Sequence, residues 1–198
     1  MYKKYIKNIL DFIFSLIFLI ILSPLILIVG IISKIYEPKA TILFKQKRAG
    51  VDNKAFTCYK FRSMKMTAPK NASTYEIENP DEFITPWGKF LRKTSIDEIP
   101  QLFNILKGDM SFIGPRPVIL KEKELLDLRY ENGAASVKPG ITGLSQISGR
   151  DNLPPEIKAK TDGIYANDIS FVNDLKILLK TIPKVLKAEG VSEGKKEF

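Results

Sequence analysis

The stretch FIFSLIFLIILSPLILIVGII, residues 12 to 32, sets the architecture of this chain, because no charged residue interrupts its apolar run. An apolar run longer than about 18 residues is typical of a membrane helix. A secretory signal would have a shorter apolar core followed by a cleavage site of small residues, and the sequence has neither. We therefore expect this segment to be retained and to lie in a membrane.

The path of this segment through the membrane is indicated by Ser23, Pro24 and the flanking charges. Proline removes a backbone donor and clashes with the carbonyl group four residues earlier, so the helix should bend at Pro24. Both flanks are basic, which places both ends on the same face of the membrane by the positive-inside tendency. The basic residues are Lys3, Lys4, Lys7, Lys34, Lys39, Lys45, Lys47 and Arg48. A re-entrant pair of half-helices fits both facts, and a spanning helix kinked by proline stays open as the alternative.

The composition excludes several kinds of chemistry. The 198 residues include no histidine, which rules out Ser-His-Asp triads and HExxH zinc sites within this chain. The single cysteine, Cys58, rules out an internal disulfide or a CxxC metal site. The length fits one domain beside the membrane segment. Any catalysis must therefore use carboxylates, Lys, Arg, Tyr, Ser or Thr, and we expect a metal bound by oxygen ligands to assist it.

The rest of the chain predicts a mixed α/β (α+β) fold. Residues 40 to 46 and 55 to 61 are rich in β-forming residues around a turn, so they predict a β-hairpin. Residues 67 to 80 are polar and predict a surface loop, and residues 87 to 93 predict a short amphipathic helix.

Near the C-terminus, apolar residues between 171 and 186 recur at helical spacing. A second stripe contains Lys176, Lys180, Lys184 and Lys187. Two interpretations stay open: a helix lying on anionic lipid, and a helix that packs in the core with a solvated basic face.

The densest group of informative residues is LRKTSIDEIPQLFNILKGDMSFIGPRP, residues 91 to 117. Apolar residues at helical spacing predict a helix that Gly108 ends in the left-handed conformation. Two signals disagree about its start. A capping-box pattern begins at Ser95, whereas Pro100 favours one of the first positions of a helix and hence a start nearer Asp97.

Either start places Asp97 and Glu98 at the positive end of this helix, where we expect the dipole to lower the carboxylate pKa. An ionised carboxylate can attack phosphorus if cations neutralise the phosphoryl oxygens. Arg92, Lys93 and Arg116 are nearby cations in the sequence. The alternative is an ordinary helix start with favourable acids and scattered surface cations.

Together with FKQKRAG, CYKFRSM, KPGITGLSQISGR and SFVNDLKILLKT, this group of residues resembles the small monotopic phosphoglycosyl transferases of bacteria, also called bacterial sugar transferases. The resemblance covers nearly the whole chain. It implies a re-entrant membrane helix over residues 1–36, bent at Ser23 and Pro24. It also implies a catalytic domain over residues 37–198 at the cytoplasmic face of the bacterial inner membrane, with amphipathic helices in the interface.

The resemblance also implies a reaction. In that family an Asp-Glu pair, matching Asp97 and Glu98, is catalytic: the aspartate attacks the β-phosphorus of a UDP-sugar, expels UMP and forms an aspartyl-phosphosugar intermediate. A polyprenyl phosphate, commonly undecaprenyl phosphate, then takes the sugar phosphate as the first membrane step of glycan assembly. Mg²⁺ would be held by Asp97 with Glu98.

Further site residues follow from the same resemblance. Arg92 and Arg116 match phosphate-binding positions. Lys60, Arg62 and Arg150 are further phosphate or nucleotide candidates, for which an ordinary surface role stays open. Gly140 and Gly143 would either let backbone amides approach the substrate or form a plain turn. Asp162 and Tyr165 lie in a segment that the family shares, without a role that spacing can assign.

Partners and rival functions complete these expectations. The partners expected are a UDP-sugar, polyprenyl phosphate and anionic membrane lipids. The sugar is expected to be N-acetylated, with galactose and glucose left open. A homo-oligomer is neither required nor excluded. The net charge of +9 also suits a basic, membrane-anchored binding module or a scaffold without catalysis. No nucleic-acid motif is recognisable, so we expect no nucleic-acid partner.

Overall fold

The computed structural model describes residues 1–69, 79–149 and 153–187, which form a mixed helix and sheet structure. The strands form two pairs: β1 (Leu43–Ala49) is antiparallel to β2 (Ala55–Phe61), and β3 (Ser111–Ile113) is parallel to β4 (Gly140–Thr142). The helices are α1 (Lys7–Tyr36), α2 (Pro80–Phe83), α3 (Pro86–Lys93), α4 (Gln101–Leu106), α5 (Lys123–Glu131), α6 (Leu144–Ser148), α7 (Pro155–Asn167) and α8 (Phe171–Leu186).

The predicted hairpin is confirmed, with Leu43 opposite Phe61 and Ala49 opposite Ala55. The first strand begins three residues later than expected, at Leu43 rather than at residue 40. The reason is that the Ala40 backbone N–H donates to the Glu37 carbonyl, which keeps the chain in a turn after α1. The short helix expected over residues 87 to 93 is also found, as α3.

The apolar segment forms one helix that is long and apolar enough to cross a membrane by length and composition. Only 17% of its most apolar window is buried within the protein, so it is not a helix enclosed in the core. The helix continues from Lys7 to Tyr36 with Pro24 inside it. The expected break into two separate half-helices is therefore not found, and the re-entrant path stays a prediction.

Ser23 compensates for the donor that Pro24 lacks. In a regular helix the N–H of residue 24 would donate to the carbonyl of Ile20, and proline has no such N–H. The Ser23 hydroxyl donates to that same carbonyl at 2.8 Å. The Ser-Pro pair therefore weakens the helical ladder without leaving the Ile20 acceptor unsatisfied, which is what an apolar environment requires.

The apolar helix packs along the rest of the protein instead of projecting from it. Its central residues Leu19 and Leu22 pack against the buried group formed by Phe56, Cys58, Leu102, Ile105 and Met110. About two turns further, Val29 is buried with Phe61 and Leu91. The helix thus forms part of the wall of the core.

Polar contacts fasten both ends of α1 to the same body. At the first end, Lys7 forms an ion pair of 2.6 Å with Asp174 of α8, and both side chains are almost fully buried. Tyr2 and Tyr165 donate to the same Asp174 carboxylate at 2.7 and 2.8 Å. At the other end, the Trp87 indole donates to Ser33 at 3.0 Å. We call the contacts of Asp174 with Lys7, Tyr2 and Tyr165 the N-terminal latch.

The C-terminal helix exposes most of its apolar residues. Within α8, Ile177 is buried in a core group. The exposed apolar residues are Phe171, Val172, Leu175, Leu178, Leu179 and Ile182. The interpretation of this stripe as a core-packing face is therefore wrong for these residues, because the face that packs inward is narrow and contains the polar Asp174. An exposed apolar face of this size marks an interaction surface.

We expect Asp174→Asn to lower the free energy of unfolding by about 3 to 5 kcal/mol, because it leaves the buried Lys7 ammonium without its counter-charge. Chemical denaturation in detergent micelles measures this loss. Asp127→Asn is the matched control, since Asp127 is exposed on α5, and it should change stability by no more than about 0.5 kcal/mol. Equal stability of the two variants would contradict a stabilising role for the latch.

Candidate active site

Asp97 and Glu98 lie in a tight turn immediately before α4. They belong to the 3₁₀ turn Ile96–Glu98, and α4 begins at Gln101 with Pro100 as its N-cap residue. Ser95 has a left-handed φ of 57° and its side chain makes no capping hydrogen bond. The capping-box interpretation is therefore wrong. Pro100 does lie at the start of the helix, but the helix begins at Gln101 and not near Asp97. The predicted left-handed end of the helix is confirmed at Gly108, with φ 82°.

This turn buries both carboxylates beside cations from distant parts of the chain. Asp97 and Glu98 are 8% and 9% exposed. The Lys60 ammonium lies 2.8 Å from Glu98 Oε1 and 3.7 Å from Asp97 Oδ2. The Arg116 guanidinium lies 3.5 Å from the same Glu98 oxygen. The structure thus brings together four of the residues that the sequence singled out.

Strand alternation explains why Lys60 reaches the carboxylates. Phe56 and Cys58 point from one face of β2 into the core, and Lys60 is the next residue with that orientation. Lys60 lies near the end of the strand, beyond these core residues and beside the turn that contains Asp97 and Glu98.

Asn104 docks the helix that follows the carboxylates onto this strand. Its side chain is fully buried. The amide oxygen accepts from the Tyr59 backbone N–H at 3.0 Å, and the amide nitrogen donates to the Thr57 carbonyl at 2.7 Å. These bonds fix α4 relative to β2, and so fix the distance between Glu98 and Lys60.

Burial raises the pKa of the Asp97 carboxyl above its ordinary value, and the neighbouring charge of Glu98 acts in the same direction. Lys60, Arg92 and Arg116 oppose this shift through their positive charges. The expected lowering of the pKa by a helix dipole is therefore wrong, because the three-residue turn supplies little dipole while burial removes solvation. Ionisation of Asp97 depends on the surrounding cations.

The loop carrying Arg116 is held by hydrogen bonds to its backbone carbonyls. Arg129 donates to the Arg116 carbonyl at 3.0 Å, and Arg48 donates to the Pro117 carbonyl at 3.2 Å. Arg129 is in turn fixed by Asp162, with nitrogen to oxygen distances of 2.6 and 2.9 Å. Ser145 donates to the second oxygen of Asp162 at 2.8 Å. Asp162 therefore acts on the candidate site through Arg129 and does not reach the carboxylates itself.

Glycines bring the two short strands beneath this loop close together. A Cβ atom added to Gly140 would lie 2.2 Å from the Gly114 nitrogen, and one added to Gly143 would lie 2.1 Å from the Gly114 carbonyl oxygen. Such contacts are too short for any side chain, so the space beside these glycines is filled by protein backbone. This packing accounts for both glycines without the expected approach of a substrate.

The described residues offer two carboxylates for a divalent cation, and no group of three or more His, Cys, Asp or Glu side chains occurs among them. Mg²⁺ is commonly bound by one or two carboxylates together with substrate phosphates and water, so Asp97 and Glu98 fit this role. They do not form a cage made of protein ligands alone.

Comparison with known proteins identifies the family of this chain. A family model described as bacterial sugar transferase matches residues 2–188. The chain belongs to the bacterial sugar transferase family. The resemblance deduced from the sequence motifs is thereby confirmed.

Three relatives of this sugar transferase are informative. The undecaprenyl-phosphate galactose phosphotransferase of Salmonella typhimurium is 37% identical over 95% of the chain, which spans 42% of that protein. The UDP-glucose:undecaprenyl-phosphate glucose-1-phosphate transferase of Klebsiella pneumoniae is 38% identical over 90% of the chain and 39% of its own length. The exopolysaccharide production protein ExoY of Sinorhizobium fredii is 36% identical over 93% of the chain and 87% of its length. The chain thus spans less than half of the first two.

Other predicted site residues lie elsewhere in this sugar transferase. Arg62 donates to the backbone and side chain of Thr41 at 2.9 and 2.7 Å, so the structure does not bring it to the carboxylates. Tyr165 is buried and donates to Asp174 in the N-terminal latch. Arg150 lies outside the described residues.

Three residues that organise the site were not predicted from the sequence: Arg48, Asn104 and Arg129. Arg48 is one of the basic residues that follow the apolar segment, and it lies within FKQKRAG, one of the motifs that carry the resemblance. That motif is the signal that could have identified it. Asn104 sits inside a helical stripe of apolar residues, where a buried polar residue is itself a signal of a specific partner.

We expect Arg129→Met to lower the free energy of unfolding by about 3 to 5 kcal/mol, because it leaves Asp162 charged and unpaired in a site where it is 1% exposed. The double variant Arg129→Met/Asp162→Leu should recover at least half of this loss, since apolar groups can replace a buried ion pair. Denaturation of both variants in the same detergent measures the difference. A double variant less stable than the single one would contradict this account.

Proposed function

We propose that this chain transfers a sugar-1-phosphate from a UDP-sugar to a polyprenyl phosphate, such as undecaprenyl phosphate, and releases UMP. One observation carries the proposal: a buried carboxylate pair is surrounded by Lys60, Arg116 and Arg92, which are the charges that a diphosphate needs. The names of the Salmonella and Klebsiella relatives support the same reaction class.

In the proposed first step, a carboxylate oxygen of Asp97 forms a bond to the β-phosphorus of the UDP-sugar. The bond between that phosphorus and the bridging oxygen breaks, and UMP leaves with the electron pair. In the second step, an oxygen of the polyprenyl phosphate attacks the phosphorus of the aspartyl-phosphosugar. Asp97 then leaves as a free carboxylate, and the product is a polyprenyl diphosphate sugar.

The cations around the carboxylates have separate proposed roles. Lys60 keeps Asp97 ionised in spite of burial and holds Glu98 by its 2.8 Å contact. Arg116, at 3.5 Å from Glu98, is placed to bind a phosphoryl group. Mg²⁺ bound by Asp97 and Glu98 would supply Lewis-acid assistance to the leaving phosphate.

We further propose that α1 enters the membrane and returns, so that both of its ends lie at the cytoplasmic face of the bacterial inner membrane. The contacts at both ends support this path, because Lys7 pairs with Asp174 and Ser33 accepts from Trp87 within the same body. A helix of 30 residues is about 45 Å long, which is more than the thickness of the hydrocarbon core. The re-entrant path is therefore supported not by helix length, but by the contacts and the charged residues at both ends of the helix. The exposed apolar face of α8, with the nearby exposed Lys176 and Lys180, would lie in the interface of the same leaflet.

Three sugars are candidates for the sugar of the UDP-linked donor. An N-acetylated amino sugar is the expectation from the sequence resemblance, while the names of the two relatives support galactose and glucose, which the sequence left open. UMP release measured with a panel of UDP-sugars distinguishes them. A scaffold without catalysis would release no UMP with any of them.

We expect Asp97→Asn to reduce turnover at least about a thousandfold, because the amide is not a nucleophile toward phosphorus. UMP release is measured with Mg²⁺ and undecaprenyl phosphate, and labelled phosphosugar on the protein is measured after rapid quenching. Asp127→Asn, on the exposed side of α5, is the matched control and should behave like the unmodified protein. Normal turnover by the Asp97 variant would refute a nucleophilic Asp97.

We expect cysteines placed at exposed Lys4 and Lys39, in otherwise unmodified protein, to be reached only from the cytoplasmic side. A maleimide that cannot cross membranes should label both variants in inverted membrane vesicles and neither in intact spheroplasts. The native Cys58 adds little background, because it is buried and burial raises the pKa of its thiol. Labelling of Lys4→Cys in spheroplasts would favour a spanning helix.

A further inference from the structure

A cavity of about 390 Å³ lies between α1, α8 and the turn that carries Glu98. Its apolar walls include Phe18 and Leu22 of α1 and Leu178 and Val185 of α8. Phe18 and Leu178 are 41% and 44% exposed, so the walls of the cavity continue into the outer apolar surfaces of the two helices. A ligand in the cavity could therefore extend directly into the hydrocarbon phase of a membrane in which α1 is inserted.

The other end of the cavity is polar and cationic. Glu98 and Arg116 line it beside the apolar walls, and Lys184 of α8 adds a second positive charge. Gln146 of α6 also lines the cavity and is 93% buried, since it is 7% exposed. Its amide nitrogen Nε2 has no hydrogen-bond partner among the described residues. A buried amide donor without a partner costs free energy unless a bound ligand accepts its hydrogen bond.

We infer that this cavity binds the acceptor lipid: its apolar part takes the first isoprene units of a polyprenyl phosphate, and its polar end takes the phosphate. The inference rests on the proposed function and adds the location of one substrate. Arg116 and Lys184 supply the positive charge for the phosphate, and Gln146 Nε2 donates a hydrogen bond to one of its oxygens. The cavity leads the lipid phosphate to the carboxylate turn from the membrane side.

A lipid fits this cavity better than the nucleotide does. A uracil base and a ribose carry many hydrogen-bonding groups, and each would be left unsatisfied against Phe18, Leu22, Leu178 and Val185. An isoprenoid carries none, and its burial against apolar walls is favourable. The soluble donor is therefore expected to approach the carboxylates from outside this cavity.

The first experiment compares two tryptophan variants in bilayer nanodiscs. Val185→Trp fills the apolar part of the cavity and should raise the KM for undecaprenyl phosphate roughly tenfold or more, as expected for overpacking of an occupied site. Its KM for the UDP-sugar and its single-turnover release of UMP without acceptor lipid should not change. Ile164→Trp is the matched control at an exposed position of α7 and should change none of these quantities.

Gln146→Leu tests the polar end in the same assays. It removes the amide donor at nearly constant volume, so the KM for undecaprenyl phosphate should rise while UMP release without acceptor stays unchanged. Gln146→Glu should raise that KM further, because a carboxylate repels the phosphate. An unchanged KM for undecaprenyl phosphate in Val185→Trp would overturn the inference. A raised KM for the UDP-sugar in Val185→Trp or Gln146→Leu would also overturn it, because it would assign the cavity to the donor.

A binding experiment keeps this inference separate from the proposed reaction. Leu178→Cys lines the cavity and Leu179→Cys, the next residue, does not. Undecaprenyl phosphate in the nanodisc should slow maleimide labelling of Leu178→Cys and leave Leu179→Cys unaffected, and phosphatidylglycerol at the same concentration should protect neither. Protection without catalysis would leave the inference standing while the proposed function fails. Equal labelling of Leu178→Cys with and without the lipid would overturn the inference.

Discussion

Two neighbouring carboxylates, Asp97 and Glu98, are removed from water in one tight turn, and the arrangement around them follows from that constraint. Buried carboxylates beside each other raise one another's pKa and destabilise the folded chain unless cations lie close. Lys60 comes from the hairpin, Arg116 from the loop after β3, and Arg92 from α3. The fold therefore assembles three separate segments around one turn, and the positions of these segments are fixed by Asn104, Arg129 and the glycine contacts beneath the loop.

The long apolar helix α1 is a structural part of this arrangement. Leu19 and Leu22 pack on the same buried group that supports α4 and β2. Phe18 stands against Phe112 of β3, with ring centroids 5.9 Å apart. Because these contacts connect the helix to the elements that hold the carboxylates, a change in the position of the helix would also change the geometry of the site.

Local patterns in the sequence predicted much of this structure. The hairpin, the helix ending at Gly108 and the helix over 171 to 186 were recognised from periodicity and turn chemistry. The residue types near the carboxylates were recognised too, through motifs. Some expectations failed for physical reasons. The capping box at Ser95 does not form, because Ser95 takes a left-handed conformation. The pKa of Asp97 is raised by burial, which no local pattern reports. Of the two interpretations left open for the α8 stripe, core packing is wrong, because most of its apolar residues are exposed. Arg129 and Asn104 were missed because their partners lie far away in the chain, and single side chains with distant partners leave no periodic signature.

The N-terminal latch has a consequence for how the protein is made. Lys7 and Asp174 are separated by 167 positions, so their ion pair can form only when nearly the whole chain has left the ribosome. Until then Lys7 lacks the counter-charge that Asp174 provides. Nascent chains that stop short of α8 lack the partner of Lys7, so this ion pair does not yet fix the first helix to the rest of the protein.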